Sequence, residues 1–430
     1  MKGPRFLTIL AALGIVLPSG CANFRRLGED LKFIDETSIV TAHVKNTSKQ
    51  HQTFGLVVEW DREDNKVESA DFAEVGPVGV FGFVVKEKDN QYLMAFSDRN
   101  DNGRYDSSDP AWIHSDSSGN PVPVRIDPET DKARVEGSLS SSTRLPNDLV
   151  EAAREFRGAR TTEEAATGWS IPVDLGTIAD LDAPKFSSER GSQGYWEPAA
   201  YPMETGIGIY FLQKYEPNRT PVLFVYGAAG SPQDWRTFFN KIDRKKYQPW
   251  FFHYPTGRRL DELGSSLNRA VELLQAYYGF NKMHVVAHSM GGLVSRDFIV
   301  KNRRDGNRYI SRYVTISTPW GGQDFAKSGV KHAPSVVPSW YDMVPGSDFQ
   351  RDIFDDKLKG KVPHLLFYGH RAKRSFTLPE ENDGTVSVAS QTDEKATSDA
   401  VGVHGYDEDH VSILSNDDVL RRTFRHLDGG

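Results

Sequence analysis

Cysteine is almost missing from this chain: there is one, Cys21, in 430 residues. No intramolecular disulfide is therefore open to it, and burial and hydrogen bonding must hold the fold. Long apolar runs are missing as well. After the first twenty residues no stretch approaches the length a helix needs to cross a bilayer. Nor is there a long basic block: 52 Lys and Arg stand against 59 Asp and Glu, a net charge of −7, which argues against a nucleic-acid partner. No internal repeat is visible. What the chain does have is 38% hydrophobic and 11% aromatic residues, enough for cores, over a length that suits two domains better than one.

The first residues read as a leader. Lys2 and Arg5 precede an apolar run from Phe6 to Leu17, and Pro18-Ser19-Gly20-Cys21 follows. That order of charge, apolar run and small residues makes residues 1–21 a secretory signal peptide, to be set aside in reasoning about the fold. Its end resembles the lipobox of bacterial lipoproteins, in which the cysteine is lipidated and becomes the new N-terminus. Pro18 stands where leucine is usual, with Leu17 one place earlier. The resemblance implies a lipid anchor on Cys21, and Ala22 in place of an aspartate implies the outer membrane of a bacterial cell envelope. Residues 22–37 are polar and charged and read as a tether.

From residue 38 to 136 the pattern is short-period. Ile39–Val44, Phe54–Trp60, Val78–Val85 and Gln91–Phe96 look like strands, parted by turn chemistry such as Asp61-Arg62-Glu63-Asp64-Asn65. Strands at this spacing predict a β-sandwich of immunoglobulin-like or transthyretin-like kind. The loop from Asp98 to Asp109 puts Asp98, Asn100, Asn102, Asp106 and Asp109 at positions 1, 3, 5, 9 and 12, with Gly103 at 6. Oxygen ligands at alternate residues let a chain curl around one hard cation, so the spacing fits a structural calcium loop. An Asx-rich turn between two strands fits it equally. Residues 137–205 read as a linker and edge segment, with a helix from Asn147 to Arg157.

From residue 206 to 430 strand and helix patterns alternate, which predicts an α/β unit with a mostly parallel sheet and helices on both faces. Its centre is Met283-His284-Val285-Val286-Ala287-His288-Ser289-Met290-Gly291-Gly292: an apolar run, a serine, then helical spacing. A serine at a sharp strand-to-helix turn stands clear of the sheet as a nucleophile, and only small residues fit two places to either side, here Ala287 and Gly291. Such a hydroxyl needs a base. His410 is the choice over His404, because the apolar run after it starts a packed segment and leaves the imidazole on the preceding loop. Asp383, in Asn382-Asp383-Gly384 after the Leu365–Tyr368 strand, would orient that imidazole; the same Asp-Gly pair also reads as a turn. Backbone N–H groups of Met290 and of Ala228, in the small-residue loop Gly227-Ala228-Ala229-Gly230-Ser231, are the expected oxyanion donors.

These motifs, in this order, resemble those of the α/β-hydrolase superfamily, and within it the bacterial lipases and esterases. Ser317-Thr318-Pro319-Trp320-Gly321-Gly322 is similar to the lipase loop beside the active site, whereas Tyr226-Gly227 departs from the usual His-Gly at the start of the oxyanion loop. The resemblance implies a lipid-anchored serine hydrolase acting on acyl esters, with a cap or lid at about 324–360 whose cluster Val336–Tyr341 meets the acyl chain or simply packs. No cofactor is required for that chemistry. A phospholipase or acyltransferase on the same triad is the near alternative, and a non-catalytic surface-binding protein the distant one.

Overall fold

The computed structural model describes residues 20–47, 50–86, 88–156, 169–372 and 378–430, so the expected signal peptide lies outside it up to residue 19. The described residues form two compact units. One comprises residues 31–177 with 202–208; the other comprises 20–30, 178–201 and 209–430. Among the described residues no helix is long and apolar enough to cross a membrane.

The first unit holds two four-stranded sheets. One runs Lys132–Ser138, Ser38–Lys45, Val80–Val85, Ser170–Ile171, and the other runs Lys66–Val75, Thr53–Asp61, Gln91–Ser97, Ala111–Ile113. Side chains of both sheets, among them Val40, Phe83, Val57 and Leu93, share one core, as a sandwich requires. Burial along the strands shows why a sandwich is not the whole of it. Ser38–Lys45 alternates between buried and half-exposed residues, while Gln91–Ser97 is buried at every position. A strand buried on both faces needs a second cover. The helix Asn147–Phe156 supplies it, setting Leu149, Val150 and Ala153 against Phe54, Leu56, Phe72 and Met94. The stretch expected to be a linker therefore contributes a layer and a strand to this unit.

The second unit is built on a β-sheet. Six of its strands lie side by side and parallel, in the order Gly402–Tyr406, His364–Gly369, Ile310–Ile316, Met283–His288, Thr220–Val225, Tyr247–His253. The serine strand is thus interior, and all six of its residues are buried. The helix Leu260–Tyr278, with Leu263, Leu267, Val271 and Leu274 buried, ends at Gly279 in the left-handed conformation (φ 72°), which only glycine adopts without strain.

The region expected as a lid consists of three short helices, Asp324–His332, Pro338–Met343 and Asp348–Asp355. The middle one is pinned. Arg259 grips the Asp342 carboxylate with two nitrogens (2.6 and 2.9 Å), the Leu260 N–H donates to the same group, and the Ser339 N–H donates to the Gly257 carbonyl. Val337 and Trp340 are buried, so that apolar cluster is packing, with Tyr341 alone left exposed.

The expected tether is also corrected: Gly20–Asp35 is a helix. Phe24 and Leu27, three apart, fall on one face and are buried; Phe24 lies edge-on to Trp196 (5.3 Å) and Trp340 (6.4 Å). Asp30 accepts the N–H groups of Ala199 (2.8 Å) and Ala200 (2.9 Å). Burial raises its carboxyl to about 6, with those two N–H groups pulling the other way.

Candidate active site

The serine corner is as sharp as its sequence requires. Ser289 has φ 54° and ψ −135°, a sparsely populated region for a residue with a side chain, at a cost of about 1–3 kcal/mol. Neighbours enforce it. The Ser289 N–H donates to the Ile316 carbonyl (2.9 Å) of the adjacent strand. A Cβ on Gly291 would stand 2.3 Å from the Tyr226 carbonyl oxygen, and one on Gly292 would stand 2.1 Å from Thr318 Oγ1. Ala287, on the strand side, is buried without such a clash, so a methyl is tolerated there.

The three side chains singled out in the sequence lie in one line. His410 Nε2 is 2.9 Å from Ser289 Oγ, and His410 Nδ1 is 2.7 Å from Asp383 Oδ2. The other oxygen of Asp383 accepts the N–H groups of Thr385 (3.0 Å) and Val386 (2.7 Å), and Gly384 between them has φ 96°. One carboxylate therefore both closes the turn and bonds the imidazole. Burial alone would raise the Asp383 carboxyl; the adjacent His410 and the two N–H groups outweigh it and hold it below the usual carboxylate range. The rival His404 sits on the edge strand beside Phe367, outside this line.

Met290 is the first residue of the helix Met290–Arg304, so its N–H has no intrahelical acceptor. It and Ala228 line one cavity of about 660 Å³ together with Ser289 and His410. Gly227 lies so close that a Cβ there would be 2.6 Å from Ser289 Cβ. An N–H pair at this place can take up charge developing on a carbonyl oxygen attacked by Ser289.

Residues that the sequence gave no reason to choose hold this arrangement. Tyr226 and Tyr254 stack at 4.8 Å and bond reciprocally. The Tyr254 hydroxyl donates to the Tyr226 carbonyl (2.5 Å), the Tyr226 hydroxyl donates to the Tyr254 carbonyl (3.2 Å), and the Tyr254 N–H donates to the Tyr226 hydroxyl (3.0 Å). Thr256 Oγ1 accepts the N–H of Ala229, whose φ is 54°. This clamp stands in place of the histidine expected before Gly227. His288 Nε2–H donates to the His410 carbonyl (2.8 Å), since a carbonyl can only accept. Burial, then the nearby His410, pushes His288 down to about 3, so it stays a neutral donor.

The remaining cavity walls come from places not read as functional: Ala22, Asn23 and Arg26 of the N-terminal helix, Ser192 of the helix Ser188–Trp196, and Phe325 and Met343 of the cap. A Cβ on Gly191 would stand 2.2 Å from the Gly230 carbonyl, which is how that helix approaches the oxyanion loop.

The loop considered for calcium is elsewhere and is closed by its own backbone. Asp98 accepts the N–H groups of Asn102 and Gly103, Asp109 accepts those of Arg99 and Asp106, and Asn100 donates to Asp106. These bonds are Asx turns. Among the described residues no group of three or more His, Cys, Asp or Glu side chains is placed to hold a metal.

Comparison with known proteins agrees in part. Residues 230–329 match the lecithin:cholesterol acyltransferase family model. A 121-residue stretch is 24% identical to phospholipase A(1) LCAT3 of Arabidopsis thaliana, covering 23% of this chain and 27% of the relative; the chain thus spans about a quarter of that relative's length. Among solved structures, the mature lipase BlEst2 of Bacillus licheniformis aligns at 18% identity with a TM-score of 0.40, over 50% of this chain and 94% of that one. Phospholipase PlaB of Legionella pneumophila aligns at 15% identity and a TM-score of 0.34, over 40% and 45%. The fold assignment rests on the chain's own strand order and corner. The parallel strand order and the strained serine at its strand-to-helix corner are those of an α/β-hydrolase fold, and residues 230–329, which resemble the lecithin:cholesterol acyltransferase family, include that corner.

Proposed function

We propose that this protein hydrolyses carboxylic esters of acyl chains through an acyl-enzyme on Ser289, and that it does so outside the cytoplasm, held at the bacterial outer membrane by a lipid on Cys21. The observation that carries the catalytic part is the unbroken line from Ser289 Oγ through His410 to Asp383 at 2.9 and 2.7 Å. His410 Nε2 takes the hydroxyl proton as Oγ attacks the ester carbonyl, and Asp383 steadies the imidazolium that forms. The N–H groups of Met290 and Ala228 receive the tetrahedral oxyanion. His410 then returns the proton to the leaving alcohol, and water activated by the same imidazole releases the acid.

Labelling by a fluorophosphonate probe tests this directly. Wild-type protein should be labelled and Ser289→Ala should not; a Ser289→Ala protein that still labels removes the assigned nucleophile. A second reading, phospholipase or acyltransferase, is favoured by the family matched at 230–329 and by the Arabidopsis relative. It shares every step up to the acyl-enzyme and differs in the ester offered and in the acceptor. Assays with a phospholipid, with and without an added acceptor alcohol, separate the two. Globomycin-sensitive processing and metabolic labelling with a palmitate analogue, both lost in Cys21→Ala, test the anchor.

A further inference from the structure

The N-terminal helix does more than pack. Ala22, Asn23 and Arg26, spaced i, i+1 and i+4, line the same cavity as Ser289 and His410. The helix is held in place by Phe24 against Trp196 and Trp340, by a close approach of Gly28 to Ser335 (a Cβ would be 2.9 Å from its Oγ), and by Asp30 on the 199–200 backbone. Beside it the helix Ser188–Trp196 adds Ser192. Among the lining residues Asn23, Arg26 and Ser192 are polar, as are Gln323 and Thr385, while Phe325, Met343, Val411 and Leu414 supply apolar surface. An acyl ester has the same division between chain and head.

The cationic group of the lining is Arg26. Its Nη1 lies 3.5 Å from Glu197 Oε1, which engages one of the five N–H donors of a guanidinium, and its side chain is 58% exposed. The cavity's one carboxylate besides, Asp234, is turned to its own loop, where it accepts the Ser231 N–H (2.9 Å). His288, the remaining titratable group of the lining apart from His410, is the neutral donor described above.

We propose that the first turns of the N-terminal helix form the head-group wall of the active site, and that Arg26 binds a phosphate oxyanion carried by the ester substrate. A guanidinium offers paired donors matched to phosphate oxygens. The proposal rests on the hydrolase reading and names the substrate class for that site.

The test compares two substrates that differ only in phosphate, phosphatidylglycerol and diacylglycerol with identical acyl chains, in the same mixed micelles and with the full-length protein. The readout is the ratio of their kcat/KM values. Arg26→Ala should lower that ratio about 10- to 100-fold, the range for losing one hydrogen bond to a charged group. Arg26→Glu should lower it further, and Arg26→Lys should restore part of it. A thermal midpoint within a few degrees of wild type for each variant establishes that the fold is intact. An unchanged ratio in Arg26→Ala and Arg26→Glu overturns the proposal, as does a wild type that prefers diacylglycerol. A wild type that is neither labelled nor active on any ester instead sinks the hydrolase reading, so the two failures are distinct.

Discussion

Replacing Tyr254 by phenylalanine removes one oxygen from a residue that lines no part of the cavity, and the structure says the loss should still appear in turnover. The hydroxyl donates to the Tyr226 carbonyl, the group immediately before Gly227 and Ala228, at 2.5 Å between two fully buried rings. The same carbonyl faces Gly291, so it is confined from the nucleophile side as well. Without the hydroxyl a buried acceptor loses its donor, which costs about 1–3 kcal/mol. That energy partitions between lower stability and an oxyanion loop no longer held where Ala228 must aim. If all of it is felt in the transition state, at about 1.4 kcal/mol per factor of ten, kcat falls by roughly 5- to 150-fold. That upper figure stays within what is lost when one oxyanion donor is removed, about two to three orders of magnitude. The assay is steady-state hydrolysis of p-nitrophenyl butyrate, with the thermal midpoint measured alongside. The expected pattern is a lower kcat at a KM close to wild type, because the donor acts on the oxyanion and not on the bound ester. A kcat within twofold of wild type, whatever happens to the midpoint, refutes the claim that this clamp positions the loop.

Gly291→Ala forces a methyl against the Tyr226 and Val225 carbonyls (2.3 and 2.5 Å), and the displacement of Ser289 should slow fluorophosphonate labelling by about a hundredfold or more, while Ala287→Gly leaves it near wild type. Retained labelling in Gly291→Ala would contradict the packing described. Arg296 and Asp399 form a buried pair at 2.7 Å, and Asp399 also accepts the N–H groups of Leu358 and Lys359, so Asp399→Ala should cost about 3–5 kcal/mol in urea unfolding. A loss under about 1 kcal/mol would show the charge to be solvated after all. Asp30 titrates at about 6 instead of 3.8, with Glu197 adding to the rise and Arg258 opposing it. The docked helix thus holds its proton more tightly than the free one: this contribution to docking is full below about pH 3.8 and is lost as pH rises through 6. Amide exchange over residues 20–30, corrected for its intrinsic rate, should show protection falling from pH 5 to 7.5 in wild type and not in Asp30→Asn; rising protection would reverse the sign of the argument.

What could be read from the sequence was local or ordered along the chain. The corner at 283–292 announced itself because strand, small residues and helix are contiguous, and Asp383 and His410, which line up with Ser289, followed from their order after the serine. What could not be read depends on partners far away. Phe24 and Leu27 carry the helical spacing of an amphipathic segment, but the tryptophans that cover them stand at 196 and 340, so residues 22–37 looked like a solvated tether. Gln91–Ser97 contains apolar residues facing both ways, which asks for a second cover without saying that residues 147–156 provide it. The Tyr226–Tyr254 clamp left one trace, the tyrosine where histidine was expected, and its partner lies 28 residues on. In the Asp98–Asp109 loop identical spacing serves cation ligands and Asx turns, and it is the turns that the backbone N–H groups make.

The N-terminal helix starts one residue before Cys21, and Ala22 already borders the cavity that holds Ser289. With Cys21 acylated as proposed, no slack chain separates the lipidated residue from the cavity that Ala22 and Ser289 line. An enzyme on a long leash can sample soluble esters at a distance; one moored at its own doorway is committed to molecules resident in the leaflet beneath it. Releasing the protein by mutating Cys21 should thus change which esters it meets far more than how fast it cleaves one already bound.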